Sequence, residues 1–405
     1  MLKLFEQIFS VLSLIILTGA VISLIPVDNN LNYNLPIKIT YVLIYLFSFT
    51  LLIFKKDLIK RAIKITLDNK LLIFLSILIA ISFTWSHNPA ITIQRIFAFF
   101  GTLIFCIYFS LRYDKKEQIS LLTYALSAIL LVSILIALIL PSYGISEENN
   151  GAWQGAFNQK NALGRMMVLS LITFLFYLSE RKKLMAKILV IILMLFSISL
   201  VYLSQSKTAI LTTGIIAFII IFTRILQKSN KITSAFFIIL IGIIIILSGI
   251  TIINYGKDIL NEIGKETTLT GRTELWSYSL DNIMKHPIIG YGYASFWIKD
   301  KNSPSEKAEY ILGWDPPHAH NGFIDLTLEL GIIGLIIITI QLIVIGVKSS
   351  KLALKSKEFV NLWPLTLTAF LLLYNLTESS LIRSNSIFLV IYISLLYNLN
   401  EYKSQ

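Results

Sequence analysis

Charge is scarce in this chain. Only 14% of its 405 residues are Asp, Glu, Lys or Arg, against about 25% in an ordinary soluble domain. That shortage excludes a string of soluble domains. Cysteine is scarcer still: the one thiol, Cys106, lies inside an apolar run. No disulfide framework can form, and Cys106 reads as a small core residue. Histidine occurs four times, and no Cys/His cluster has the spacing of a tetrahedral metal site. There is no repeat of fixed period and no low-complexity linker. Acidic residues number 23 against 35 basic ones, a formal charge of +12. The placement of those charges, set out below, argues for a membrane and against nucleic acid.

What fills the chain instead is apolar sequence. Hydrophobic residues make up 56% of it. Runs of roughly 17–25 apolar residues are long enough to cross a bilayer. Twelve such segments are expected, near 5–25, 37–54, 71–86, 93–111, 119–140, 161–179, 188–204, 209–223, 232–253, 324–347, 359–375 and 386–400. The first is read as an uncleaved helix, because the next follows closely. Alternating their direction sorts most Lys and Arg onto one side, in clusters such as Lys55, Lys56, Lys60, Arg61, Lys64 and Lys70. By the positive-inside rule that side is cytoplasmic and holds both termini. The expected fold is an all-α polytopic membrane protein of about twelve spans. It divides into helices 1–9 (1–253), a large outer loop with an interfacial helix (254–320) and helices 10–12 (321–405).

The outer loop holds "TGRTELWSYSLDNIMKHP". Leu275, Trp276, Leu280, Ile283 and Met284 recur at helical spacing. Thr270 is a plausible N-cap, and Pro287 would stop the helix. Six basic residues stand on the wrong side, near helix ends: Arg95, Lys160, Arg165, Lys207, Arg272 and Arg383. Cations near the bilayer are costly and usually face a wet cavity or bundle interior. Arginine's planar fork matches phosphate oxygens, and lysine serves as a point charge. These residues therefore suggest an outer pocket for a phosphate-bearing substrate. The blander alternative is that some snorkel or pair with carboxylates.

The stretch "PPHAHNGFIDLTLELGIIGL" opens the tenth segment. With His320 taken as its first turn, Asn321, Asp325 and Glu329 line one face. Histidine exchanges a proton near neutral pH, so His320 is the candidate general base. His318 and Asn321 are candidate substrate contacts. Asp325 and Glu329 read as hydrogen-bond anchors or arginine partners. Gly331 and Gly334 would let another helix pack close. His318, His320 and Asp315 are too close in sequence to make a good metal set, so no metal and no cofactor are expected.

"HNGFIDLTLELGIIG" (His320 to Gly334) fits a pattern of His, then Asn/Ser/Gln, nine residues, Gly, two residues, and a small or aromatic residue. With "TGRTELW", "HPIIGYGYASFW", "FNQKN" and "SQSKTA" it resembles the O-antigen ligase family. That family includes O-antigen polymerases and ExoQ-like exopolysaccharide proteins. The resemblance implies a GT-C-like helical fold in a bacterial inner membrane, with the active site facing the periplasm. It implies metal-independent, inverting transfer of a glycan from undecaprenyl diphosphate to a sugar hydroxyl of a growing glycan or of lipid A–core. A chain-length regulator is a conceivable partner. By motif, His320 would be the base, and Arg95, Arg165, Arg272 and their basic neighbours would hold the diphosphate. The short strings lean towards a polymerase over a ligase. A twelve-helix transporter is the rival from another class; the uneven halves and the outer cluster of polar residues count against it.

Overall fold

The computed structural model describes residues 1–20, 35–229, 272–300 and 303–401. The expected segment 232–253, residues 254–271 and the proposed cap Thr270 lie outside them. The regular structure of the described residues is helical but for one two-stranded hairpin, Ile145–Ser146 with Ala152–Trp153. The first half supplies α1 (Leu2–Leu17), α2 (Leu35–Phe54), α3 (Lys56–Asp68), α4 (Lys70–Ile81), α5 (Pro89–Arg112) and α6 (Lys115–Ile139). There follow α7 (Lys160–Ser179), α8 (Leu184–Leu203) and α9 (Lys207–Lys228). The outer loop contributes α10 (Arg272–Lys285) and α11 (Pro304–Leu312). The chain ends in α12 (Gly322–Lys355), α13 (Trp363–Asn375) and α14 (Ile387–Glu401).

Seven of these helices are long and apolar enough to cross a membrane: α2, α5, α6, α7, α8, α9 and α12. The bent pair α3–α4 makes an eighth if it counts as one span. Helix α7 is the central one. Two thirds (67%) of its apolar span is buried, against 22–44% in the other six. The others turn apolar side chains outward, as α8 does with Leu189, Leu195 and Phe196. In lipid that outward face needs no protein cover, and every helical backbone group is satisfied within its own helix.

Helix starts follow their capping residues. Asn88 accepts from the Ile91 amide at 3.1 Å, with Pro89 in the first turn of α5, where a missing N–H costs nothing. Asp114 and Glu117 form a capping box on α6. One expectation fails between α2 and α4. Residues 55–70 were expected to be a basic loop, but they form α3, which meets the next helix at 87°. Leu58, Ala62 and Ile65 are buried at spacings of four and three, so a helix gains an inward stripe that a loop would not.

Helix α12 is broken. Gly331 has φ 63° and ψ −167°, far from helical values. The expectation that Gly331 and Gly334 seat a neighbouring helix is therefore corrected. The partner at Gly331 is the backbone of the loop after α10. The Tyr291 amide donates to the Leu328 carbonyl at 2.8 Å, Gly292 to Glu329 at 2.9 Å, and Ile332 to Pro287 at 2.8 Å. Groups freed by the break are thus satisfied by the segment "HPIIGYG", as membrane burial requires. A Cβ at Gly331 would overlap the Ile288 carbonyl, and its backbone region is almost closed to other residues. Gly331→Ala should cost more than about 3 kcal/mol and leave little folded protein. Purification yield and thermal unfolding in detergent would check this; a normal melting curve would contradict it.

Candidate active site

The expected first turn at His320 is also corrected. Helix α12 starts at Gly322, and Asn321 is its N-cap, accepting from Phe323 and Ile324 amides at 3.0 and 3.3 Å. His320 lies just before it with φ 50°, in the left-handed region. Such a backbone is uncommon outside glycine. The loop that imposes it is pinned from three sides. Asp325 accepts from the Ala319 amide at 3.0 Å, from the Trp297 indole at 2.6 Å and from the Ser379 hydroxyl. Trp276 on α10 donates its indole N–H to the Ala319 carbonyl at 2.9 Å. Asp325 is thus the hydrogen-bond anchor expected of it. Trp276 and Trp297 serve this loop, while Trp314, partly exposed, tilts over His320 at 6.5 Å.

The two histidines converge on a residue that sequence reasoning passed over. His318 Nε2 and His320 Nδ1 each lie 3.5 Å from Glu378 Oε2. Their rings meet edge to face at 4.2 Å. The other Glu378 oxygen faces the Asn161 amide at 3.4 Å. Asn161 in turn accepts from the Ser206 hydroxyl at 2.9 Å. Glu378 therefore ties together the starts of α7, α9 and α12. Gly164 allows it: a Cβ there would come within 2.8 Å of Ala209, so α7 and α9 cross closely where Asn161 and Ser206 meet. The signal for Glu378 was weak. "LTESS" is one carboxylate between two helices, and no local spacing links it to a histidine 58 residues away.

The electrostatics are lopsided. Burial pushes the His318 imidazole down to about 3, and the charges of Arg383 and the neighbouring His320 add to it. Burial alone would raise the Glu378 carboxyl. His320, and the charges of Arg165 and His318, outweigh that and hold it at about 2. Glu378 is ionised and His318 neutral at any physiological pH. The backbone N–H of His320 donates to His318 Nδ1 at 3.0 Å. The proton of a neutral His318 therefore sits on Nε2, towards Glu378.

The expected basic residues divide. Arg165 lies inside, its guanidinium 4.7 Å from the centre of the Phe388 ring. Its buried Nε has no hydrogen-bond partner among the described residues. A buried donor of that kind is costly unless something satisfies it. Arg383 is exposed at the mouth of a small cavity shared with Asp325, Glu329 and Ser379. Its charge acts on His318, Asp325 and Arg165 alike. Arg95, exposed on α5, acts electrostatically on Glu329 and Tyr293. Lys160 and Lys207 open α7 and α9, next to Asn161 and Ser206. Arg272 opens α10, and no ion pair joins it to the cluster among the described residues. Asp315, rejected above as a metal partner of the two histidines, pairs with Lys299 at 2.8 Å.

His318, His320 and Glu378 offer three ligand atoms within 4.8 Å of one another, a spacing that could hold a metal ion. The cations around them argue against a dication: Arg165 acts on both His318 and Glu378, and Arg383 acts on His318. What the arrangement supplies is a pair of histidines in contact, a buried carboxylate and a guanidinium whose Nε lacks a partner among the described residues. That is a helical membrane protein with a histidine–carboxylate cluster under the influence of a buried cation.

Residues 192–339 match the family model "O-Antigen ligase". Over that stretch the chain is similar to the O-antigen ligase family. "Exopolysaccharide production protein ExoQ" of Rhizobium meliloti is 26% identical over 281 residues, 66% of this chain and 62% of that protein. "Putative polysaccharide ligase" of Rickettsia felis is 30% identical over 242 residues, 57% of this chain and 55% of that protein. The chain thus spans 55–62% of the length of these relatives. The matched stretch contains Lys207, Arg272, His318 and His320. Arg95, Arg165, Glu378 and Arg383 lie outside it.

Proposed function

We propose that this protein is a GT-C-like glycosyltransferase of the bacterial inner membrane. It moves a glycan from undecaprenyl diphosphate to a sugar hydroxyl on the periplasmic side. The observation that carries the reading is Glu378 facing both histidines, with the charge of Arg165 acting on it and the Arg165 Nε unpartnered among the described residues.

In this mechanism Glu378 accepts the Nδ1 proton of His320 and leaves Nε2 free as the base. The 3.5 Å separation is long for a hydrogen bond, as such contacts often are before substrate binds. Nε2 takes the proton of the acceptor hydroxyl while its oxygen bonds to the anomeric carbon. The bond from that carbon to the diphosphate oxygen breaks, and the electron pair leaves with the lipid diphosphate. Arg165, Arg95 and Arg272 stabilise the charge building on the leaving group. Lys160, Lys207 and Arg383 extend that field. His318, and the Asn321 amide left over from capping, contact phosphate or sugar oxygens. The imidazolium formed at His320 is stabilised by ionised Glu378, the logic of a base oriented by a carboxylate.

No step in this chemistry uses a metal. Excess chelator should leave turnover unchanged. Loss of activity in chelator, restored by one metal, would overturn the metal-independent reading.

We further propose a polymerase, since the likeness to the exopolysaccharide protein covers more of the chain than those to the ligases. The ligase names support the second reading, transfer of finished glycan to lipid A–core. The deciding experiment gives purified protein in lipid a single undecaprenyl-diphosphate repeat unit and no other acceptor. A ladder of longer lipid-linked glycans supports polymerisation. Transfer only after lipid A–core is added supports a ligase. Silence in both would sink the transferase reading.

A further inference from the structure

The opposite end of α12 holds a cavity that the transfer reaction does not use. Its volume is about 530 Å³, and it lies in the elbow between α3 and α4, against α12 and α14. The polar wall carries Lys64, Asp68, Lys70 and Lys348, three cations against one carboxylate. Lys348 donates to Asn400, and Asn400 donates to Asn69 at 2.6 Å. This chain of bonds fixes the elbow and the floor of the cavity. No ion pair to Lys64 or Lys70 is present among the described residues, and both are exposed. The remaining wall is apolar: Leu71, Val344, Ile345, Leu396 and Leu399.

Helix α3 gives the cavity its setting. Leu58, Ala62 and Ile65 face the protein. Ile63 and Leu67 project outward from a neighbouring stripe and are 55% and 61% exposed. Lys60, Lys64 and Arg61 lie on the remaining face. An apolar stripe turned away from the protein, flanked by lysines, is the pattern of a helix lying in the bilayer interface. The distance from Asn321 to Lys348 is roughly 35–40 Å along α12, so the cavity and the histidine cluster are at opposite membrane faces.

We infer that this elbow binds the phosphate headgroup of an anionic phospholipid from the lysine-rich leaflet. Lys64 and Lys70 neutralise the phosphate, as basic pockets between membrane helices do. The apolar wall takes the first carbons of the acyl chains. A free phosphate would satisfy the lysines and leave that wall wet, which is why the lipid is favoured. The site does not depend on the sugar chemistry proposed above, and its test reads binding alone.

Native mass spectrometry of the full chain, released from detergent with phosphatidylglycerol or phosphatidylcholine, counts the lipid retained. Phosphatidylglycerol should be held as a discrete adduct and phosphatidylcholine should not. The double variant Lys64→Gln/Lys70→Gln should weaken the adduct about tenfold or more, at roughly 1 kcal/mol per lysine. The control Lys56→Gln/Lys60→Gln, on the same helix but outside the cavity, should retain it. Matching melting temperatures for both variants would exclude misfolding. Equal retention in both variants, or equal retention of the two lipids, would overturn the site. Displacement of the adduct by millimolar inorganic phosphate would overturn the lipid and leave a free-anion site.

Discussion

Glu378→Gln should lower glycan transfer by about a hundredfold to ten-thousandfold while the protein still folds and inserts. The amide has nearly the shape of the carboxylate, so the side chain still fits between Asn161 and the two histidines. What disappears is the negative charge facing Nδ1 of His320. The imidazole is then no longer held with Nε2 free. The imidazolium that forms in the transition state also loses its counter-charge. His320→Ala should be as damaging, because it removes the base itself. The double variant should be scarcely worse than either single one, since residues acting as a unit give non-additive losses. Initial rates of transfer from the lipid diphosphate, with melting temperatures alongside, would measure this. Losses that multiply in the double variant would show that Glu378 and His320 act separately. A normal rate in His320→Ala would end its role as base.

Arg165→Lys is expected to lower transfer about ten- to a hundredfold with the fold intact. Lysine keeps the positive charge that acts on Glu378, so the buried carboxylate remains compensated. It loses the planar fork, and it cannot stack on Phe388 in the same way. Arg165→Ala should lower transfer further, by about a hundred- to a thousandfold, the cost of removing a preorganised donor from a developing anion. In the lysine variant KM for the lipid-diphosphate donor should rise and KM for the acceptor should not. Melting temperature is the control. A lysine variant that loses stability in proportion to activity would make Arg165 a structural residue and remove it from the diphosphate pocket.

These expectations show which parts of the molecule could be read in advance. The membrane class followed from the shortage of charge and the length of the apolar runs. Hydrophobicity along a single helix is a local property, so α2, α5 to α9 and α12 lie close to their expected positions. Asn88 and Asp114 cap their helices through neighbours three residues on, which is also local. Helix α3 was missed because its lysines masked an inward stripe of only Leu58, Ala62 and Ile65. The stripe matters only when α5 and α2 are there to receive it.

The histidines and the outer arginines were legible as residue types with costly positions. Their arrangement was not. Glu378 meets His318 and His320 because α7, α9, α12 and α13 come together at one end, and Gly164 lets two of them approach. Gly331 looked like a packing glycine on a continuous helix. Whether a glycine seats a neighbour or breaks its own helix depends on what backbone arrives opposite, and here that is Pro287 to Gly292. The sequence by itself determined what each segment could bury and which side chains could carry charge or protons. The tertiary structure decided which of them meet, because contacts between residues far apart in the chain are made only when several helices pack at once.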